Sequence, residues 1–191
     1  MFRPRIIFDF GIEKHSLVAN QLFNSILLEK WPDWLPMFTD ASKLSPNGAT
    51  GAAVWIPKYK IILNYKLPSY SSVFTGEAIA ILEATLYIES HRIRKSIVFT
   101  DSLSCLQDIA KSPFRSKDIF TISVQIKDTL QRCHDMGLEV VLAWIPGHSG
   151  ISGNETADNC AKQAVHSGCE KFNKCFPRDL RTLSKSQMFK S

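Results

Sequence analysis

The sequence has few of the features that mark membrane or secreted proteins. No run of about 18 consecutive apolar residues occurs in the chain, so the sequence predicts no membrane-spanning helix and no membrane partner. The basic start, residues 1–10, contains only a short apolar run that Asp9 interrupts, which makes a poor signal peptide. The expectation is an intracellular protein of the nucleus or cytoplasm that is not secreted.

Cysteine is also scarce, and its spacing is not that of a disulfide framework. The number of cysteines is odd, which favours reduced thiols in an intracellular protein: Cys105, Cys133, Cys160, Cys169 and Cys175. His166, Cys169 and Cys175 leave a zinc site open, although no fourth ligand has the spacing of a structural zinc site.

Acidic residues are fewer than basic ones, but the imbalance is moderate. The chain has 23 Lys and Arg residues against 18 Asp and Glu residues, which gives a net charge of +5. A basic protein suits a polyanionic partner, yet many soluble proteins have a similar charge, so the charge alone decides little. The length of 191 residues fits one domain, or one domain with extensions, and no internal repeat is visible.

Four acidic residues stand at comparable positions along the chain. Asp40 and Asp101 each end an apolar run that predicts a buried strand, whereas Glu77 and Asp158 each lie near the start of a predicted helix. These elements can bring four carboxylates together, and such carboxylates repel one another unless cations neutralise them. Divalent metal is the simplest neutraliser, and two Mg²⁺ ions about 4 Å apart promote an in-line phosphoryl displacement.

The segment from Trp144 to His166 combines a loop with the start of a helix. Proline and glycine residues interrupt regular structure there and leave one imidazole, that of His148, on a mobile loop. Ser152 or Asn154 is expected to cap the helix that follows. A titratable histidine beside the carboxylate of Asp158 suits general acid–base or metal chemistry.

Four sequence blocks together carry a resemblance to a known family. They are F-T-D-A-S-K at 38–43, F-T-G-E-A-I-A-I at 74–81, F-T-D-S-L-S-C-L at 99–106 and I-P-G-H-S-G-I-S-G-N-E-T-A-D at 145–158. In this order they resemble the catalytic blocks of type 1 ribonuclease H. Their residues are most similar to those of the ribonuclease H domains of non-LTR retrotransposon reverse-transcriptase polyproteins. The resemblance extends from about Leu35 to Gly168.

This resemblance implies roles for the acids and for the loop histidine. It makes Asp40, Glu77, Asp101 and Asp158 the catalytic ligands of two Mg²⁺ ions, for which Mn²⁺ can substitute. His148 corresponds to the family's loop histidine, a catalytic residue that assists proton handling or product departure. The implied reaction is endonucleolytic hydrolysis of the RNA strand of an RNA–DNA hybrid, which leaves 5′-phosphate and 3′-hydroxyl ends.

Candidate substrate contacts follow from position beside these blocks. Family members select RNA by contacting 2′-hydroxyl groups, and the candidates for such contacts are Ser42, Lys43, Asn47, Ser71, Ser72, Thr75 and Ser102. Val73 and Phe74 stand where some cellular members place amide side chains, so weaker hybrid affinity is expected. The basic protrusion that some members use to grip the hybrid is absent, since only residues 111–116 separate two predicted helices.

The order of the predicted elements indicates an α/β fold that matches the ribonuclease H-like fold. Three strands joined by short turns are expected to form an antiparallel meander, and two later strands are expected to run parallel to the first. The prediction is a mixed five-stranded sheet with helices on both faces. Its strands are Leu35–Ala41, Ala49–Ile56, Lys60–Leu67, Ile97–Thr100 and Leu138–Trp144, and its helices are about Val73–Ser90, Ser102–Ala110, Lys117–Met136 and Gly153–His166.

The chain is expected to divide into three segments. Residues 1–34 are an N-terminal connector with one helix at Ser16–Lys30, because apolar residues there recur with helical period. Residues 35–168 are the catalytic domain, and residues 169–191 are a basic tail that is expected to be loose or peripherally packed.

Three functions remain open on the sequence alone. The first is an active hybrid endonuclease of retroelement origin, which works as a monomer, with the reverse transcriptase domain of a parent polyprotein as a further partner. The second is a domesticated or inactive remnant that binds nucleic acid without cleaving it, and the intact acids weigh against it. The third is another enzyme on the same fold, such as a transposase or exonuclease, and the block at 145–158 weighs against that reading.

Overall fold

The computed structural model describes residues 2–111 and 121–171, which form one mixed sheet and five α-helices. In chain order the elements are β1 (Arg5–Ile7), α1 (Ala19–Lys30), β2 (Leu35–Lys43), β3 (Thr50–Ile56), β4 (Ile61–Leu67), α2 (Val73–His91), β5 (Lys95–Thr100), α3 (Leu103–Ala110), α4 (Thr121–Asp135), β6 (Glu139–Trp144), α5 (Ser152–Ser167) and β7 (Cys169–Glu170). A short 3-10 turn, Pro57–Tyr59, joins β3 to β4. None of these helices combines the length and apolar character needed to cross a membrane.

The seven strands lie in the order β1-β6-β5-β2-β3-β4-β7. β2, β3 and β4 form the expected antiparallel meander, while β5 runs parallel to β2 and β6 runs parallel to β5. The predicted α/β fold, with these five strands at the centre of the sheet and helices on both faces, is confirmed.

The two edge strands were not part of the expected five-stranded sheet. β1 pairs with β6 and β7 pairs with β4, both in parallel. Residues 169 and 170 therefore pack at the edge of the sheet, which is one of the two arrangements expected for the tail. Strands of three and two residues are too short to show the alternation by which strands are recognised in a sequence. Residues 172–191 and the start of the helix predicted from Lys117 lie outside the described residues.

The central strands are buried on both faces because helices cover each side. Alternate residues of β2 and β5 belong to different cores. Met37 and Val98 pack with α2, α3 and α4, whereas Phe38 and Phe99 pack with α1 and α5. This two-sided burial holds in place the strands that carry two of the predicted catalytic acids.

Two glycines allow helices to approach the sheet closely. A Cβ at Gly76 would lie 2.8 Å from both Ala41 Cβ and Thr50 Cγ2, which is closer than real side chains allow. A Cβ at Gly51 in β3 would collide with the backbone carbonyl of Ala161 in α5. Since Gly76 immediately precedes a predicted acid, its lack of a side chain brings that acid close to β2.

Candidate active site

Four carboxylates face a common region beside the end of β5 and the adjoining part of β2. In the parallel pairing of these strands, the residues immediately before Asp40 and Asp101 lie opposite each other, so the two acids are neighbours. Glu77 reaches the same region from the early part of α2, and Asp158 reaches it from the second turn of α5. The fold therefore brings together the four acids that the sequence predicts.

Asp40 lies at the electrostatic centre of this group. The residue is only 7% exposed, and burial raises the pKa of its carboxyl group to about 8. Repulsion from Asp101, Asp158 and Glu77 adds to the rise in pKa, while a hydrogen bond from the Ala41 backbone N–H to Asp40 Oδ1, at 2.7 Å, opposes it. Because Asp40 interacts with all three other acids, the four carboxylates form one electrostatic site.

Burial and neighbouring charge act on two further acids in the same direction. Burial is the largest cause that raises the pKa of Glu77 and of Asp101, and each of these acids is also repelled by another member of the group. The proximity of His148 opposes the rise at Asp101, since a positive imidazolium favours the ionised carboxylate. The carboxyl groups of Glu77 and Asp101, like that of Asp40, are therefore harder to ionise in the metal-free protein than in water.

Ser102 and Cys105 hold Glu77 from the side of α3. Ser102 occupies the N-cap position of α3, yet its hydroxyl makes no capping hydrogen bond and instead donates to Glu77 Oε2. Hydrogen bonds to an ionised group are roughly twice as strong as bonds between neutral groups, which favours the bond to Glu77 over a capping bond to the backbone. The Cys105 thiol lies 3.8 Å from the same oxygen, so α3 fixes the direction of the Glu77 side chain.

Asn154 connects α5 to Asp101. Its Nδ2 donates to Asp101 Oδ2 over 3.3 Å, whereas its Oδ1 is buried and has no hydrogen-bond partner within the described residues. The sequence predicts Ser152 or Asn154 as the cap of this helix, and that prediction is wrong. The N-cap residue is Ile151, without a side-chain capping bond, because Asn154 lies inside the first turn with its amide directed at Asp101.

The loop between β6 and α5 places His148 beside the acids. His148 is exposed and has a positive φ of 51°, and Gly150 has a φ of 76°. Gly147 approaches Asp101 so closely that an added Cβ would collide with Asp101 Oδ2. One ligand atom from each of His148, Glu155 and Asp158 lies within 4.8 Å of the others, so the loop histidine and the α5 acids form a compact group.

This constellation agrees with a comparison against known protein families. The family model described as RNase H matches residues 33–166, well over half of the chain. The chain belongs to the ribonuclease H family. Ribonuclease H1 of Mus musculus is 26% identical over 123 residues, which are 58% of this chain and 41% of the mouse protein, and ribonuclease H1 of Rattus norvegicus aligns with the same identity and coverage. The alignment therefore spans less than half the length of these curated relatives.

The predicted substrate contacts of this family domain occupy different environments. Ser42 is half-buried in β2, and Asn47 is exposed in the turn after it. Ser72 accepts the Thr75 backbone N–H at 3.1 Å and so caps α2, while the side chain of Thr75 is completely buried. Lys43 donates to the backbone carbonyls of residues 69 and 71, and Ser102 is engaged with Glu77. Contact of any of these residues with substrate stays a prediction.

Members of the ribonuclease H family generally use divalent metal ions, and the residues of this site fit such an ion. Four carboxylates interact electrostatically here, and Lys162 forms an ion pair with one of them, Asp158. The donors are carboxylate oxygens, supplemented by the unpartnered Asn154 Oδ1 nearby. Hard oxygen donors of this kind suit Mg²⁺ or Mn²⁺.

The electrostatics of Asp40 predict that the metal-free protein loses stability as the pH rises. In the unfolded chain this carboxyl ionises near 3.8, whereas in the folded protein it keeps its proton up to about pH 8. The folded state therefore binds more protons between these values, and the free energy of unfolding falls across that window, by up to about 6 kcal/mol for this group. Asp40→Asn removes the titrating group, so the loss of stability is expected to become smaller.

Thermal unfolding in EDTA between about pH 5 and 9 measures this effect. Asp128→Asn, at an exposed position on α4, is the matched control and should follow the wild type. Identical pH profiles for the wild type and Asp40→Asn would show that Asp40 ionises normally in the folded protein.

Proposed function

We propose that this protein is a metal-dependent endonuclease that hydrolyses the RNA strand of RNA–DNA hybrids. The single observation that carries the proposal is the group of four carboxylates around the buried Asp40 within a ribonuclease H family domain. The curated relatives bear the name ribonuclease H1, and their similarity to this chain supports the same class of reaction. The sequence blocks around the four acids favour a retroelement origin.

The four acids, Asp40, Glu77, Asp101 and Asp158, would hold two Mg²⁺ ions. When bound, such ions supply an activated water nucleophile and neutralise charge that develops on the scissile phosphate. Oxygen from water is added to phosphorus and the bond to the 3′ oxygen is broken, which leaves a 5′-phosphate and a 3′-hydroxyl. The acids orient these groups, and Asn154 and Ser102 keep Asp101 and Glu77 in position.

His148 is suited to proton handling at the edge of this site. It is exposed on a loop, near enough to Asp101 to lower the pKa of that carboxyl group. An imidazole can accept a proton from the attacking water or donate one to the leaving oxygen. Its exposed position also suits a role in the departure of the product, and these two roles predict different kinetic effects of its removal.

We further infer an RNA–DNA hybrid as the main macromolecular partner. The net charge of +5 favours a polyanion as partner. The half-buried Ser42 lies on the same strand as Asp40, and the exposed Asn47 lies in the turn that follows this strand. A reverse transcriptase domain of a parent polyprotein is a second proposed partner. The chain is proposed to act as a monomer in hybrid cleavage.

The test is cleavage of three labelled substrates: an RNA–DNA hybrid, duplex DNA and duplex RNA. We expect cleavage of the RNA strand of the hybrid alone, in Mg²⁺ or Mn²⁺, and none in EDTA. Ca²⁺ should support little cleavage, because its longer and looser coordination misplaces the attacking water.

Each alternative gives its own result in this assay. Hybrid binding without cleavage under every metal condition identifies an inactive remnant that retains nucleic-acid affinity. Cleavage of duplex DNA identifies another nuclease activity on this fold. Full activity in EDTA rules out the two-metal mechanism.

A further inference from the structure

The residues that precede the family match belong to the same folded unit. The match begins at residue 33, yet β1 adds a parallel strand beside β6, with Arg5–Ile7 opposite residues 141–143. α1 follows and packs on the face of the sheet that α5 also covers. The segment 5–31 therefore contributes both a strand and a helix to the structure that carries the active site.

Aromatic packing fixes α1 over the strands that bear two of the acids. Phe23 of α1 is 2% exposed, and its ring centroid lies 5.5 Å from that of Phe10, 5.7 Å from that of Phe38 and 4.9 Å from that of Phe99. Phe38 and Phe99 each stand two residues before a carboxylate of the site. Large buried rings in tilted and edge-to-face contact define a position well, so α1 is held at a fixed place relative to the acids.

Asn20, on this anchored helix, reaches the first residue of α5. Its Oδ1 accepts the backbone N–H of Ser152 over 3.0 Å, although the two residues are 132 positions apart in the chain. A helix N-terminus leaves several N–H groups without partners, and α5 has no side-chain cap from its own N-cap residue, Ile151. Asn20 therefore supplies, from α1, an acceptor for the first of these N–H groups.

We propose that Asn20 is a positioning residue for the catalytic loop and helix, so that residues 5–31 belong to the catalytic unit. The proposal rests on the function proposed above. Asn20 acts through Ser152, which ends the loop that carries His148 and begins the helix that carries Asp158.

The loop itself requires such an anchor. Both His148 and Gly150 have positive φ values, a conformation that is strained for the histidine. The start of the loop is tied down, because Trp144 Nε1 donates to the Asp101 carbonyl over 3.1 Å. The hydrogen bond from Ser152 to Asn20 ties down the other end, so its loss should let the loop open and His148 leave its place beside Asp101.

The experiment compares three variants of the full chain with the wild type. Asn20→Ala removes the acceptor, Asn20→Asp keeps a carboxylate oxygen that can accept the same N–H, and Asn24→Ala changes an exposed asparagine one turn further along α1. Hydrogen exchange of peptides that span residues 148–156 reports the loop directly. Steady-state cleavage of an RNA–DNA hybrid in Mg²⁺ gives kcat and KM, and thermal unfolding reports global stability.

For Asn20→Ala we expect exchange in residues 148–156 to accelerate by about 2- to 13-fold, the range for loss of one hydrogen bond. The value of kcat should fall by a similar factor, while KM stays within about twofold because the surface that contacts nucleic acid is intact. Asn20→Asp should show exchange and kcat close to those of the wild type, because it keeps the acceptor. Asn24→Ala should also match the wild type.

The proposal is overturned if Asn20→Ala leaves exchange in residues 148–156 and kcat unchanged. It is equally overturned if Asn20→Asp fails to restore them, or if Asn24→Ala has the same effect as Asn20→Ala, because the effect is then a general loss of stability. If the wild type cleaves no hybrid, the proposed function fails, and the exchange comparison still decides whether Asn20 orders the loop.

Discussion

Asp101→Asn is expected to abolish hybrid cleavage while the protein stays folded. Asp101 directly follows β5 and lies beside Asp40 of the parallel strand β2, and the substitution removes one of four charges that would hold the metal ions. Loss of roughly 6 kcal/mol or more of transition-state stabilisation corresponds to a fall in kcat of more than about 10⁴-fold. The fold should survive, because asparagine has the same size and its amide oxygen can still accept from Asn154.

The measurement is single-turnover cleavage of one hybrid by the wild type, Asp101→Asn and the control Asp128→Asn. Thermal unfolding in EDTA should show equal or greater stability for Asp101→Asn, since one of the mutually repelling charges is gone. Turnover of Asp101→Asn close to that of the wild type would mean that Asp101 does not take part in catalysis.

His148→Ala is expected to lower turnover by about 10²- to 10⁴-fold, the range for loss of a proton-transfer side chain, and to remain above Asp101→Asn. The histidine is exposed on a loop with positive φ, unlike the carboxylates, which are anchored on strands and helices. Hybrid affinity should change little, because one loop side chain adds little to an interface dominated by phosphate contacts.

Steady-state and single-turnover rates together separate the two roles of His148. A loss in both assays indicates proton handling, whereas a loss confined to the steady state indicates product departure. His166→Ala, at an exposed position near the end of α5, is the control for loss of an imidazole. Activity of His148→Ala equal to the wild type in both assays would make the residue dispensable, and complete inactivity would make it part of the metal site.

The sequence by itself predicted the central sheet, which is confirmed, and the proximity of the four acids beside it. Asp40 and Asp101 end apolar runs, and the parallel pairing of the two strands brings such ends to one edge. Short turns force an antiparallel meander, and a helical crossover leads to a parallel strand, so the order of elements restricts the topology. These signals are local or depend on element order, which is why the sequence alone contains them.

Only the tertiary structure decided what holds those acids in place. Asn154 is directed at Asp101 rather than capping α5, Ser102 is bound to Glu77, and the N–H at the start of α5 is bound by Asn20. The paired residues are 53, 25 and 132 positions apart, and each contact depends on how the helices pack against the sheet. A single polar residue has many local uses and leaves no periodic pattern, so packing alone selects its partner.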